Sequence, residues 1–105
     1  MKFISRNRIH ESNIQAEFYH RCKLRGLNVY LEYRYERCRF DAVMINDNND
    51  IYAIIEFKSR KRPIKGEYKT KQMEKYSKYN IPILLCVNLE NIDKTINDCI
   101  TLLAI

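Results

Sequence analysis

Residues 39–58 read Arg39-Phe40-Asp41-Ala42-Val43-Met44-Ile45-Asn46, then Asp47-Asn48-Asn49-Asp50, then Ile51-Tyr52-Ala53-Ile54-Ile55-Glu56-Phe57-Lys58. Two apolar runs flank a cluster of Asn and Asp, the pattern of two strands (39–46 and 51–58) joined by a turn at 47–50. The second run is almost continuously apolar, which predicts a central strand buried on both faces. Each run carries an acid near one end, Asp41 in the first and Glu56 in the second. Joined as a hairpin, the strands can set these carboxylates facing each other. Glu56 and Lys58 are two residues apart and point to the same side of their strand. Two carboxylates and an ammonium are therefore expected around one small volume.

Upstream, Ile14, Phe18 and Cys22 recur every four residues and Gly26 follows, which predicts a helix over 11–25. Residues 28–36 (NVYLEYRYE) alternate and are rich in Tyr and Val, a strand with one wet face. Downstream, Ser59 to Glu67 is a basic loop broken by Pro63 and Gly66, and residues 68–79 look helical. Residues 82–87 (PILLCV) are another buried strand. A short helix at 91–98 and a last strand at 100–104 complete the chain. The order is α-β-β-β-α-β followed by α-β, an α/β fold with a mixed central sheet flanked by helices.

The chemistry needs these residue types together. Magnesium takes hard oxygen ligands and keeps several waters, so one or two carboxylates suffice. Such an ion polarises a phosphoryl oxygen and acidifies a water, and a nearby Lys can orient that water or balance charge growing on phosphate. The plainer reading is a surface salt bridge at Asp41 and a solvated Glu-x-Lys face. That reading is weakened by Ile54, Ile55 and Phe57 around Glu56, where an acid and an amine are costly to bury.

An early helical acid, Asp41, a gap of fourteen residues, Glu56-Phe57-Lys58, and a later helix carrying Gln72 together resemble the PD-(D/E)XK nuclease superfamily. The resemblance spans residues 11–88 and is greatest to small stand-alone branches, the virus-type replication-repair nucleases and archaeal Holliday-junction resolvases. It implies the restriction-endonuclease-like αβββαβ core. It also implies Glu11, Asp41 and Glu56 as metal ligands and Lys58 as the catalytic lysine. Gln72 matches the second-helix glutamine that orients phosphate or water, although by spacing alone it reads equally as an exposed helical polar residue. Glu11 fits the first-helix acid better than Glu17, because it shares the helical face of Ile14, Phe18 and Cys22; Gln15 lies on the same side and could assist. The family's Pro before the first acid is Phe40 here.

Nineteen Lys and Arg against thirteen Asp and Glu give a net charge of +6, which suits a polyanionic partner. The segment from Lys58 to Lys71 inclusive carries seven basic residues and one acid. Arg39, Arg60, Lys61, Arg62, Lys65, Lys69 and Lys71 are the candidate phosphate contacts. Tyr30, Tyr33 and Tyr35 could stack on bases, but a Tyr-rich strand is more often simply β-structure.

The four cysteines, Cys22, Cys38, Cys86 and Cys99, form no CxxC pair or Cys/His cluster, which argues against zinc. Cys22, Cys86 and Cys99 read as reduced core residues. The N-terminal MKFISRNRIHES lacks a signal peptide's apolar stretch and no run is long enough to span a membrane, so an intracellular, cytoplasmic protein is expected, in a prokaryotic or viral setting. Its 105 residues suit one domain. The expected function is a magnesium-dependent DNA endonuclease, with Mn2+ able to substitute; the resemblance implies 5′-phosphate ends, and the preferred substrate is left open among duplex, flap, branched or junction DNA and a specific site. A homodimer or higher homo-oligomer is expected because paired cuts need two sites. The apolar tail ITLLAI reads as a core strand or as an edge strand used for pairing. The alternatives are a non-catalytic nucleic-acid-binding module on the same fold and a small basic RNA-binding protein.

Overall fold

The computed structural model describes residues 11–59 and 80–104. The first helix, α1 (Glu11–Leu24), buries Ile14, Phe18 and Cys22, the stripe its four-residue spacing predicts. It ends in a Schellman turn. Leu27 N donates to Cys22 O at 3.0 Å and Gly26 N to Lys23 O at 3.1 Å, with Gly26 at φ 73. Leu27 then packs in the same cluster as Cys22, which fixes the exit angle into the first strand.

Strands β1 (Asn28–Tyr35), β2 (Cys38–Ile45) and β3 (Ile51–Lys58) form an antiparallel meander, and β4 (Ile83–Val87) adds to β3 in parallel. The sheet order β1-β2-β3-β4 puts β3 in the interior, and all its residues from Ala53 to Lys58 are buried. The β2–β3 connection is organised by Asn46, whose Oδ1 accepts from Asn48 N and Asp50 N, both at 2.9 Å. Asn49 supplies the left-handed residue there at φ 70, a conformation Asn tolerates.

After a 3-10 turn (Leu89–Asn91), helix α2 (Ile92–Leu103) packs beside α1. Arg21 reaches Asp93, and Arg25 Nη1 donates to Asn97 Oδ1 at 3.2 Å. The strand expected at 100–104 is not formed: residues 100–103 continue α2, so the expected edge-strand pairing through ITLLAI falls with it. Ile92, Ile96 and Cys99 are fully buried and Leu102 packs against the same cluster, a helical face continuous across the expected break. This packing outweighs the β-branched character of Ile100 and Thr101. The helix expected at 68–79 and most of the basic loop lie outside the described residues.

Among the described residues the core has two clusters, one on each face of the sheet. The helix side holds Val29, Ala42, Met44, Ala53, Ile55, Phe57 and Cys86 with the two helices. The other side holds Cys38, Phe40, Val43, Ile45 and Ile54. Cys22, Cys38, Cys86 and Cys99 are all buried and none is in a disulfide. Burial pushes the Cys22 and Cys99 thiols up to about 12 and Cys86 to about 11, from an ordinary 9.0.

These shifts set a pH dependence. The native chain keeps three protons that the unfolded chain releases, so their effect is absent below pH 9 and costs stability as pH rises from about 9 toward 12. Native protein at pH 8 is expected to resist thiol alkylation at these three positions until denaturant is added. Rapid labelling of any of them in the folded state, read by mass spectrometry, would contradict the buried assignment.

Candidate active site

The β2–β3 ladder pairs Ala42 with Ile55, and one step beyond it stand Asp41 and Glu56. There the pairing changes character. Phe57 N donates to Asp41 Oδ2 at 3.0 Å, and Asp41 N donates to Glu56 Oε2 at 3.4 Å. Each carboxylate thus accepts from the backbone of the opposite strand, which locks the two acids beside one another as the hairpin register predicts. Among the described residues, Oδ1 of Asp41 takes no hydrogen bond.

Glu56 is 3% exposed and Lys58 8%, both on an interior strand. Ile54 belongs to the cluster away from the helices, so by strand alternation Glu56 and Lys58 share that face. Lys58 also anchors the chain downstream, its carbonyl accepting from Asn88 N at 3.0 Å. An acid and an amine buried together in a strand otherwise made of Ile, Ala and Phe carry a large desolvation cost.

The β1–β2 pairs Leu31↔Ala42 and Tyr33↔Phe40 leave Glu32 opposite Asp41. Glu32 has φ 51, a left-handed conformation that costs a non-glycine residue about 1–2 kcal/mol. Its consequence is a reversal of faces. Leu31 packs on the helix-side cluster and Tyr33 on the opposite one, although residues two apart on a regular strand share a face. Ala42 and Phe40 show the same reversal on β2.

Gln15 of α1 reaches into this break. Its Nε2 donates to Glu32 Oε2 and to the carbonyl of Asp41, both at 2.9 Å. Glu32 Oε1 pairs with Arg39. The chain Arg39–Glu32–Gln15 therefore ends on the backbone of Asp41 and braces it from the helix side. Glu32 was not singled out from sequence. Its signal was positional: the two-residue turn at Glu36-Arg37 pairs Tyr35 with Cys38, and counting back from there sets Glu32 against Asp41.

Other expected site residues fall differently. Glu11 is exposed at the first position of α1, one turn (about 6 Å) before Gln15, and makes no hydrogen bond or ion pair to Asp41 or Glu56. Glu17 pairs instead with Arg21 at 2.7 Å. Gln72, Arg60, Lys61, Arg62, Lys65, Lys69 and Lys71 lie outside the described residues.

Among the described residues no three Asp, Glu, His or Cys side chains are grouped to hold a metal. The sheet supplies an adjacent pair of hard oxygen donors, Asp41 and Glu56. That donor set fits magnesium, which keeps waters and is bound through one or two carboxylates rather than an all-protein cage. It does not suit zinc, whose structural sites want four N or S ligands.

A sequence model of the PD-(D/E)XK nuclease superfamily matches residues 9–92, and the chain belongs to that superfamily. No curated protein and no solved structure matches it. Nucleases of this superfamily generally use divalent metal ions. Among the described residues no helix is long and apolar enough to cross a membrane.

The Asp41 bond makes a prediction separable from chemistry. Asp41→Ala leaves Phe57 N without its acceptor in a buried strand and should cost about 1–3 kcal/mol in urea unfolding. Asp41→Asn keeps an oxygen for that donor and should cost clearly less. Equal losses in the two variants would show that the carboxylate charge, not the hydrogen bond, holds the strand ends together.

Proposed function

We propose that this superfamily member is a magnesium-dependent endonuclease that hydrolyses DNA phosphodiester bonds, with Asp41 and Glu56 holding the ion and Lys58 as the catalytic lysine. The observation that carries the reading is the burial of Glu56 and Lys58 on one face of β3, beside an Asp41 tied to the same strand. A purely structural strand has no use for an acid and an amine in that position, and a passive phosphate binder gains nothing from two carboxylates facing its anion.

A bound divalent ion would polarise a phosphoryl oxygen and lower the pKa of a water. The chain's own residues do the rest. Asp41 and Glu56 present oxygen donors from two strands whose spacing is set by the reciprocal carboxylate–amide bonds. Lys58 places a cation where charge grows on the phosphate and can hold the attacking water through Nζ. Gln15 and Glu32 keep the Asp41 backbone from shifting.

The finer parts of the proposal rest on sequence. Glu11 is taken as a further ligand, Gln72 as an orienting residue, and Arg39, Arg60, Lys61, Arg62, Lys65, Lys69 and Lys71 as phosphate contacts. Mn2+ should substitute for Mg2+, since both favour octahedral oxygen sites. Products should carry 5′-phosphates, branched or junction DNA is the proposed substrate, and cutting both strands calls for a homodimer.

Plasmid and branched DNA incubated with Mg2+, Mn2+ or EDTA test the reading directly. Asp41→Asn and Glu56→Gln should each abolish metal-dependent cleavage while circular dichroism stays native; undiminished cutting by either would remove it from the active site.

Lys58→Ala should lower turnover by at least about a hundredfold. Binding to DNA in calcium should change far less, because one phosphate contact among many contributes modestly. If binding falls in proportion to activity, Lys58 is a phosphate anchor and the non-catalytic binding module becomes the better reading.

A further inference from the structure

Tyr30 and Tyr33 are three residues apart on β1, so a regular strand would set them on opposite faces. Their rings are instead stacked, with centroids 6.3 Å apart and planes within 18°. The left-handed residue between them, Glu32, explains this: the face reversal that sends Tyr33 to the side away from the helices brings it alongside Tyr30.

The pair lies on the face that carries the proposed chemistry. Tyr33 packs on the cluster containing Ile54, and Ile54 shares its side of β3 with Glu56 and Lys58. Two strand spacings, roughly 10 Å, separate β1 from β3. Tyr33 is half-buried, while Tyr30 beside it is 53% exposed. Tyr35, 43% exposed, follows along the same edge strand.

We propose that Tyr30, with the ring of Tyr33 parallel beside it, is a stacking platform for unpaired bases of the nucleic acid flanking the cleavage site. Three observations favour this occupant over a second copy of the chain. The rings are already parallel, the arrangement in which a third flat ring extends the stack. A net charge of +6 draws a polyanion to the surface. The platform is also continuous with the face of Glu56 and Lys58, so a strand held there can reach the carboxylates. β-propensity alone accounts for Tyr on a strand but not for an outward ring stacked on its neighbour across a left-handed residue. Base stacking of this kind tolerates any sequence, because every base has a π-face. The inference rests on the nuclease reading for its position in the reaction, but its binding test does not.

Calcium-loaded wild type, Tyr30→Ala and Tyr30→Phe are titrated with oligo(dT) carrying one 2-aminopurine, and with blunt duplex. Wild type should quench the 2-aminopurine on binding. Tyr30→Ala should weaken oligo(dT) binding by roughly 5- to 150-fold, with at least fivefold less effect on blunt duplex. Tyr30→Phe keeps the ring and should stay within about twofold of wild type, which also shows that position 30 tolerates substitution without loss of fold. Equal losses on both probes, or a Tyr30→Phe variant as weak as Tyr30→Ala, overturn the platform. So does a change in sedimentation of Tyr30→Ala with unaltered oligo(dT) affinity, which would make the face a self-interface. If wild type cuts nothing with Mg2+ or Mn2+ yet quenches the probe through Tyr30, the nuclease proposal fails and the platform stands.

Discussion

Beyond the paired stretch of β2 and β3, the structure depends on carboxylates doing the work of carbonyls. Asp41 accepts from the amide of Phe57 and Glu56 accepts from the amide of Asp41. A regular ladder continued past this point would satisfy the backbone without acids and leave a neutral strand end. The exchange satisfies the same donors while concentrating negative charge at one spot. It also explains how a site can be held firmly on strands that carry Ile, Phe and Ala on every side: the acids are part of the backbone hydrogen-bonding, so displacing them gives up those bonds.

The left-handed conformation of Glu32 extends that constraint to the edge strand. Its backbone cost is about 1–2 kcal/mol, and the surrounding bonds to Gln15 and Arg39 hold the residue in place. Three features go with this one distortion. It accompanies the reversal of faces on β1 and β2, it presents the Glu32 carboxylate to the same α1 glutamine that bonds the Asp41 carbonyl, and it sets Tyr30 alongside Tyr33. The positioning of the proposed catalytic aspartate and the shape of the outer strand are therefore set by the same residue.

Much of this was legible in the sequence. The α1 stripe of Ile14, Phe18 and Cys22, the Asn/Asp turn and the mixed sheet follow from periods of 3.6 and 2 and from turn chemistry, and the structure has them. The adjacency of Asp41 and Glu56 follows from the same turn. Two features escaped for physical reasons. Residues 100–103 look like a strand because Ile and Thr are β-branched, yet Cys99 and Leu102 complete a helical face that the core can bury. Glu32 escaped because period-2 reasoning assumes unbroken alternation, and a glutamate with positive φ has no local sequence signature.

The first-helix residue shows where motif and geometry part. By helical face Glu11 and Gln15 are equivalent, one turn apart, and motif matching favours the acid. The structure gives the bonded role to the amide, and the chemistry of the target explains why. What α1 meets at the strand break is a carbonyl oxygen of Asp41 and a carboxylate oxygen of Glu32, two acceptors. A carboxylate there would add an unpaired acceptor and a second negative charge, whereas an amide has two protons to give. Glu11, further out and exposed, is left outside this donor–acceptor match. Any part it takes in holding an ion must come through oxygen ligation rather than through bracing the strand.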